Sequence, residues 1–229
     1  MPITLGAMRA SVREHIDEPT ANYWTDAEIN DYIVKEQLNL WRRIYRLRDD
    51  YWIVPGGFQF NTVAGQYAYQ TADGIPANFF RATALRCLTS GYSTIRFLPA
   101  DPSSPRFVAG LDPNNTIASP DTFLYAVRGN GILWLSPTPQ QVMQIQADYI
   151  ALPTAVALDT DTFTIPDEFL DYIEYSASAD ALMKQPSPAA GTWAQKAENA
   201  WSDIQAALDT QRTDQGPEMV RGFGDDGEW

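Results

Sequence analysis

The feature that most constrains this chain is a change of period. Both ends space their apolar residues as helices do, whereas the stretch from about 51 to 165 holds only short apolar runs broken by recurrent Pro and Gly. Thr4 can cap a first helix in which Leu5, Met8, Val12 and Ile16 fall at helical spacing, and Pro19 ends it. Thr25-Asp26-Ala27-Glu28 is a capping box that opens a second helix. Ile29, Ile33, Leu40, Ile44 and Leu47 mark its buried face, which Tyr32 and Trp41 widen. Arg42, Arg43, Arg46 and Arg48 crowd its last turns, where they complement the helix dipole.

The middle reads as strands: Phe58–Asn61, Tyr67–Tyr69, Ala82–Leu88, Ile95–Leu98, Thr122–Val127, Ile132–Leu135 and Met143–Ile150. Arg128-Gly129-Asn130-Gly131 predicts a tight hairpin turn, since Asn-Gly tolerates positive φ. Pro99 to Pro120, with Pro102, Pro105 and Pro113, reads as irregular surface loop.

Helix returns at Ile165-Pro166-Asp167-Glu168, with Pro and acids as start signals. Phe169, Tyr172, Ile173, Ser176, Ala179 and Met183 form its inner face. After a turn at Gln185-Pro186-Ser187-Pro188, a fourth helix carries Trp193, Ala197, Trp201, Ile204 and Leu208. From Arg212 the periodicity is lost, yet Met219, Val220, Phe223 and Trp229 remain among glycines. Such a mixture suits a segment that orders on binding. The expected architecture is α+β. Residues 1–50 and 166–211 would form an antiparallel four-helix bundle, 51–165 an inserted all-β domain (a sheet or small barrel), and 212–229 an extended C-terminal tail.

At 229 residues the chain can bury a core without a disulfide or metal. Its formal net charge of −13 argues against tight nonspecific binding to nucleic acid or anionic membrane, because both depend on neutralising phosphate. No apolar run is long enough to span a membrane, and Met1-Pro2-Ile3-Thr4-Leu5 has no basic start leading into an apolar run, so a cytoplasmic product is expected.

Catalytic candidates are few. A Ser–His–acid triad would have to use His15, the one histidine, which sits among Arg13, Glu14, Asp17 and Glu18 and reads as a solvated surface residue. Cys87, the one cysteine, lies in the apolar run Ala84-Leu85-Arg86-Cys87-Leu88 and reads as buried and structural. Asp159-Thr160-Asp161 lacks the later Gly and Glu of a calcium loop and reads as a solvated turn before a strand at Thr162–Ile165. No catalytic set, cofactor site or metal site is expected. The arginine cluster is the candidate partner-binding feature, with an acidic neighbour as its match.

Several segments, in order, resemble one family. "TLGAMRASVREHIDEPTANYWTDAEINDYIVKEQLNLWRRI", "FLYAVRGNGILWLSPTP" and "ADYIALPTAVALDTDTFTIPDEFLDYIEYSASADAL" are similar to the opening helices, the Gly-turn hairpin and the Ile-Pro helix start of tailed-bacteriophage head-to-tail adaptor (connector, head completion) proteins. The likeness spans most of residues 3–183. It implies a structural virion protein at the head-to-tail junction, made in the host bacterial cytoplasm. Such proteins form a ring, usually of twelve copies, beneath the portal, extend the DNA channel and offer a docking platform to tail, nozzle or tail-fibre proteins. DNA would only pass through, and no membrane is involved.

By position, the resemblance makes 212–229 a portal-binding extension with Met219, Val220, Arg221, Phe223 and Trp229 as contacts. Arg42, Arg43 and Arg46 would meet acids on the adjacent copy. The alternative is a carbohydrate- or receptor-binding accessory module of the tail, using the β segment and the loop 99–120, with a stacking aromatic such as Trp134.

Overall fold

The computed structural model describes residues 2–92, 94–112, 121–129, 131–184 and 187–214, with side chains up to 210. The chain divides into two compact units, residues 1–40 with 155–229 and residues 41–154.

In the first unit, helix α1 (Leu5–His15) is capped by Thr4, whose Oγ1 accepts from the Ala7 amide at 3.2 Å. Leu5, Met8 and Val12 are fully or nearly fully buried. Helix α2 (Asp26–Leu47) begins in this unit and ends in the other. Its capping box forms as expected: the Glu28 amide donates to Thr25 Oγ1 at 3.2 Å, and Glu28 Oε2 accepts from the Thr25 amide at 3.0 Å. Between α1 and α2, Asp17 takes the left-handed conformation with φ 57°. The buried Glu18 carboxylate then gathers the amides of Asn22, Tyr23 and Trp24, giving the Pro19 turn its shape.

A 3₁₀ turn at Asp167–Phe169 leads into α4 (Leu170–Lys184), and α5 (Ala189–Asp214) packs against it. The Asp159–Asp161 turn grips the start of α1. The Leu5 and Gly6 amides donate to the carbonyls of Asp161 and Asp159, and Arg9 holds the Asp159 carboxylate through two bonds of 2.8 and 2.7 Å. This segment was expected to be a solvated turn before a strand. The turn is indeed solvated, with Asp159 and Thr160 exposed, but it is also tied to a helix 150 positions away, and in place of the expected strand Thr162 makes only an isolated bridge to Thr4.

The second unit holds two sheets. β1 (Ile53–Asn61), β7 (Gln144–Ala151) and β3 (Phe79–Cys87) form an antiparallel sheet in the order β1-β7-β3. β2 (Ala68–Tyr69), β6 (Ile132–Ser136), β5 (Thr122–Arg128) and β4 (Arg96–Pro99) form the other, in the order β2-β6-β5-β4, with β4 parallel to β5. Phe58, Phe60, Phe79, Met143 and Ile145 of the first sheet share one core with Tyr69, Phe123, Leu133 and Leu135 of the second. The predicted hairpin joins β5 to β6, pairing Arg128 with Ile132, and Gly129 and Gly131 take φ of 60° and 76° as such a turn requires.

Within the stretch read as irregular lies a short helix, α3 (Pro105–Gly110), capped by Ser104. Its Phe107 is fully buried, and the Phe107 carbonyl accepts from Ser136 Oγ at 2.7 Å. A side chain at Gly110 would collide with Ser136 Oγ, so the close approach of α3 to the end of β6 requires glycine there. Residues 113–120 and Asn130 lie outside the described residues.

The architecture is α+β, but the expected four-helix bundle with an inserted β domain does not hold. Among the described residues there are five helices and two sheets. The bundle reading gave each helix one apolar stripe. Helix α4 has none: Leu170, Tyr172, Ile173, Ala177, Ser178, Ala179, Ala181 and Leu182 are buried around most of its circumference. A helix buried on most sides is the centre of its unit rather than one of four equal corners. Helix α2 also leaves the helical unit, since its last turns belong with the strands: Trp41 Nε1 donates to the Ala151 carbonyl at 2.9 Å.

Candidate interaction surface

The sequence-derived interface residues sit on the last turns of α2, in the second unit. Arg42 and Arg46 are one helical turn apart and exposed, whereas Arg43 is half-buried and engaged with its surroundings. The structure therefore separates three arginines that the sequence grouped together. Arg48, nearby, is tied to Asp50 at 2.8 Å.

An aromatic residue precedes each of the two exposed arginines along the helix. Trp41 and Tyr45 stack on each other with centroids 5.3 Å apart. Phe80 of β3 meets both edge-on, at 5.0 Å and 5.4 Å. Phe80 is 37% exposed, an unusual position for a phenylalanine in an ordered strand. The next residue, Arg81, donates from Nη1 to Tyr45 Oη at 3.3 Å.

Two successive outward side chains in one strand break the usual alternation. They are possible because the pairing of β3 with β7 shifts register between Phe79 and Arg81. Such a bulge re-aims side chains and is common where a strand does more than fill a core. Sequence reasoning missed Tyr45, Phe80 and Arg81. The available signal was Phe79-Phe80-Arg81, a bulky run that fits no period-2 pattern and led to the strand being read from Ala82.

Charge is divided unevenly between the units. Residues 41–154 contain nine Arg and seven Asp but neither Lys nor Glu, a formal +2. The rest of the chain therefore carries −15 of the total −13.

The chemical candidates resolve as follows. His15 is not solvated as expected. Its ring stacks on Trp193 at 3.8 Å, Nδ1 lies 3.1 Å from Ser178 Oγ, and Nε2 lies 3.3 Å from Glu174 Oε1. The trio resembles a catalytic triad in composition only. Ser178 is fully buried and spends its hydroxyl proton on the Glu174 carbonyl, so no substrate can reach it. Burial pushes the His15 imidazole down, opposed by Glu174 and Glu14 and reinforced by Lys196.

Cys87 is buried, as its apolar run implied. Trp134 is half-buried, with Arg128 4.9 Å above its ring and Tyr67 at its edge. Among the described residues no three His, Cys, Asp or Glu side chains stand together as a metal site, and no helix is long and apolar enough to cross a membrane. Met219, Val220, Arg221, Phe223 and Trp229, the candidate portal contacts, lie outside the described residues.

The last turns of α2 thus carry two exposed cations and two rings that pack on Phe80. A family model described as SU10 adaptor protein matches residues 3–221. The molecule is thus of the phage head-to-tail adaptor class. The chain belongs to the SU10 adaptor protein family. No curated protein matches it.

Proposed function

We propose that this adaptor assembles as a ring beneath the portal at the virion neck, extends the DNA channel and provides the platform on which the tail docks. Family membership supports the setting, and the observation that carries the reading is the separation of charge between the units. A unit of −15 repels phosphate, which suits a wall past which DNA must slide without sticking. A unit of +2 with exposed arginines remains free to meet protein. The ring has twelve copies in this reading. Its 212–229 segment reaches the portal through Met219, Val220, Arg221, Phe223 and Trp229, and it performs no catalysis.

The test mixes purified portal from the same genome with the full chain, or with a chain ending at Gln211, and images both by negative-stain electron microscopy. A second ring formed with the full chain and not with the shortened one is the expected result. A ring from both would move the portal contact to the folded units. Binding by neither would overturn the proposal.

A further inference from the structure

We infer that the Arg42–Arg46 face of one copy docks on the acidic start of α4 of the next copy, around Glu168 of the 3₁₀ turn and Asp171 of the helix. This deepens the ring reading above and rests on it.

In a chain with a large excess of acid, arginines find partners easily. Arg9 holds Asp159, Arg13 holds Asp26, Arg48 holds Asp50 and Arg86 holds Asp148. Arg42 and Arg46 are exposed and make no ion pair or hydrogen bond among the described residues, and Arg81 bonds only the Tyr45 hydroxyl. Phe80, next to Arg81 in β3, packs on Trp41 and Tyr45, the residues immediately before Arg42 and Arg46, and its ring is partly exposed. A partly exposed aromatic anchor, with uncommitted guanidinium groups on the same strand and on the helix turns it packs against, suits a protein contact.

The partner must be acidic, and this chain's own acids show where. Most acids of the helical unit are already engaged. Asp26 and Asp159 serve arginines, and Glu28 and Asp180 serve Lys184 and Lys35. Glu18 and Asp161 accept backbone amides, and Glu174 accepts from Ser11. A dense uncommitted group is Asp167, Glu168 and Asp171, all exposed, whose carboxylates make no ion pair or hydrogen bond among the described residues. They also suit the start of α4 through its dipole, which holds them there and leaves their outer faces open. A basic face and an acidic face on different units of one chain make a heterologous contact, the kind that propagates head to tail and closes into a ring. Opposite charges there set register and encounter rate.

Sedimentation velocity over a concentration series, without and with portal, tests this on the full chain. Arg42→Glu with Arg46→Glu should raise the concentration for ring formation at least about tenfold while circular dichroism stays unchanged. The neutral pair Glu168→Gln with Asp171→Asn should weaken assembly in the same direction. Adding Glu168→Lys and Asp171→Lys to the double arginine reversal should restore rings. If the unaltered chain forms no ring in either condition, the ring reading itself falls. If it does and the arginine reversal assembles normally, this contact falls and the ring reading stands. If the arginine reversal blocks rings but the neutral pair assembles normally, the acidic turn is not the acceptor and the pairing is overturned.

Discussion

Tyr45 and Phe80 meet edge to face with ring centroids 5.4 Å apart, joining the last turns of α2 to strand β3. Phe80 touches Trp41 in the same way. Phe80→Ala removes two aromatic contacts at once, and unfolding in urea should show a loss of about 2 kcal/mol. Leu98→Ala, at a residue 49% exposed, serves as the control and should stay within about 0.5 kcal/mol. Equal effects from both would mean that Phe80 is not an anchor.

The arginines of α2 should separate by stability. Arg42→Glu and Arg46→Glu should each change the unfolding free energy by less than about 0.5 kcal/mol, because both side chains stand in solvent. Arg43→Glu places an acid in a half-buried, engaged position and should cost about 1 to 3 kcal/mol. Urea melts of the three single variants decide the matter. A stable Arg43→Glu would contradict the separation drawn here.

Helix α3 is held by one residue. Phe107 is fully exposed to the core and not at all to solvent, and Ser136 bonds its carbonyl. Phe107→Ala should cost about 3 to 5 kcal/mol, whereas Val108→Ala, at a residue 52% exposed, should be nearly neutral. If 99–111 were only a surface loop, the two variants would behave alike.

These particulars show how far the sequence could be read. Each of the seven strands among the described residues was visible at least in part as a short apolar run, although β1 was read only from Phe58 and the strand expected at Thr162–Ile165 does not form, and the capping box at Thr25 placed the start of α2. Local chemistry was enough for those, because caps and turns act within a few residues. The bundle was misjudged because period alone does not reveal that α4 is covered on most sides; its many alanines and Ser178 fit either a stripe or a centre. Helix α3 was hidden because Pro102, Pro105 and Pro113 suggested loop, although Ser104 before Pro105 is a cap followed by a proline tolerated at a helix start. At the candidate surface, Arg42 and Arg46 were legible by charge. Phe80 and Arg81 were not, since their outward aim depends on a register shift against β7 and so on a strand about 70 positions away.

Long-range pairing also explains the histidine, and it leads to a pH dependence. His15 appeared polar because its sequence neighbours are, yet it stacks on Trp193 of α5 and faces Ser178 and Glu174 of α4. Burial lowers its pKa from the ordinary 6.5, Lys196 adds to that, and Glu174 and Glu14 oppose it without winning. Below 6.5 the unfolded chain takes up a proton that folded His15 resists, so the unfolded state gains. The contribution of His15 to stability is therefore whole above 6.5 and is lost as the pH falls beneath that value. Replacing it with glutamine removes the titrating group while keeping a side chain able to bond Ser178. The melting temperature of the unaltered chain should accordingly exceed that of His15→Gln by more at pH 8 than at pH 5.5. Because many carboxylates titrate lower down, only the difference between the two proteins is informative. A gap of constant size across that range would mean that His15 is solvated after all and that its stacking on Trp193 carries no desolvation.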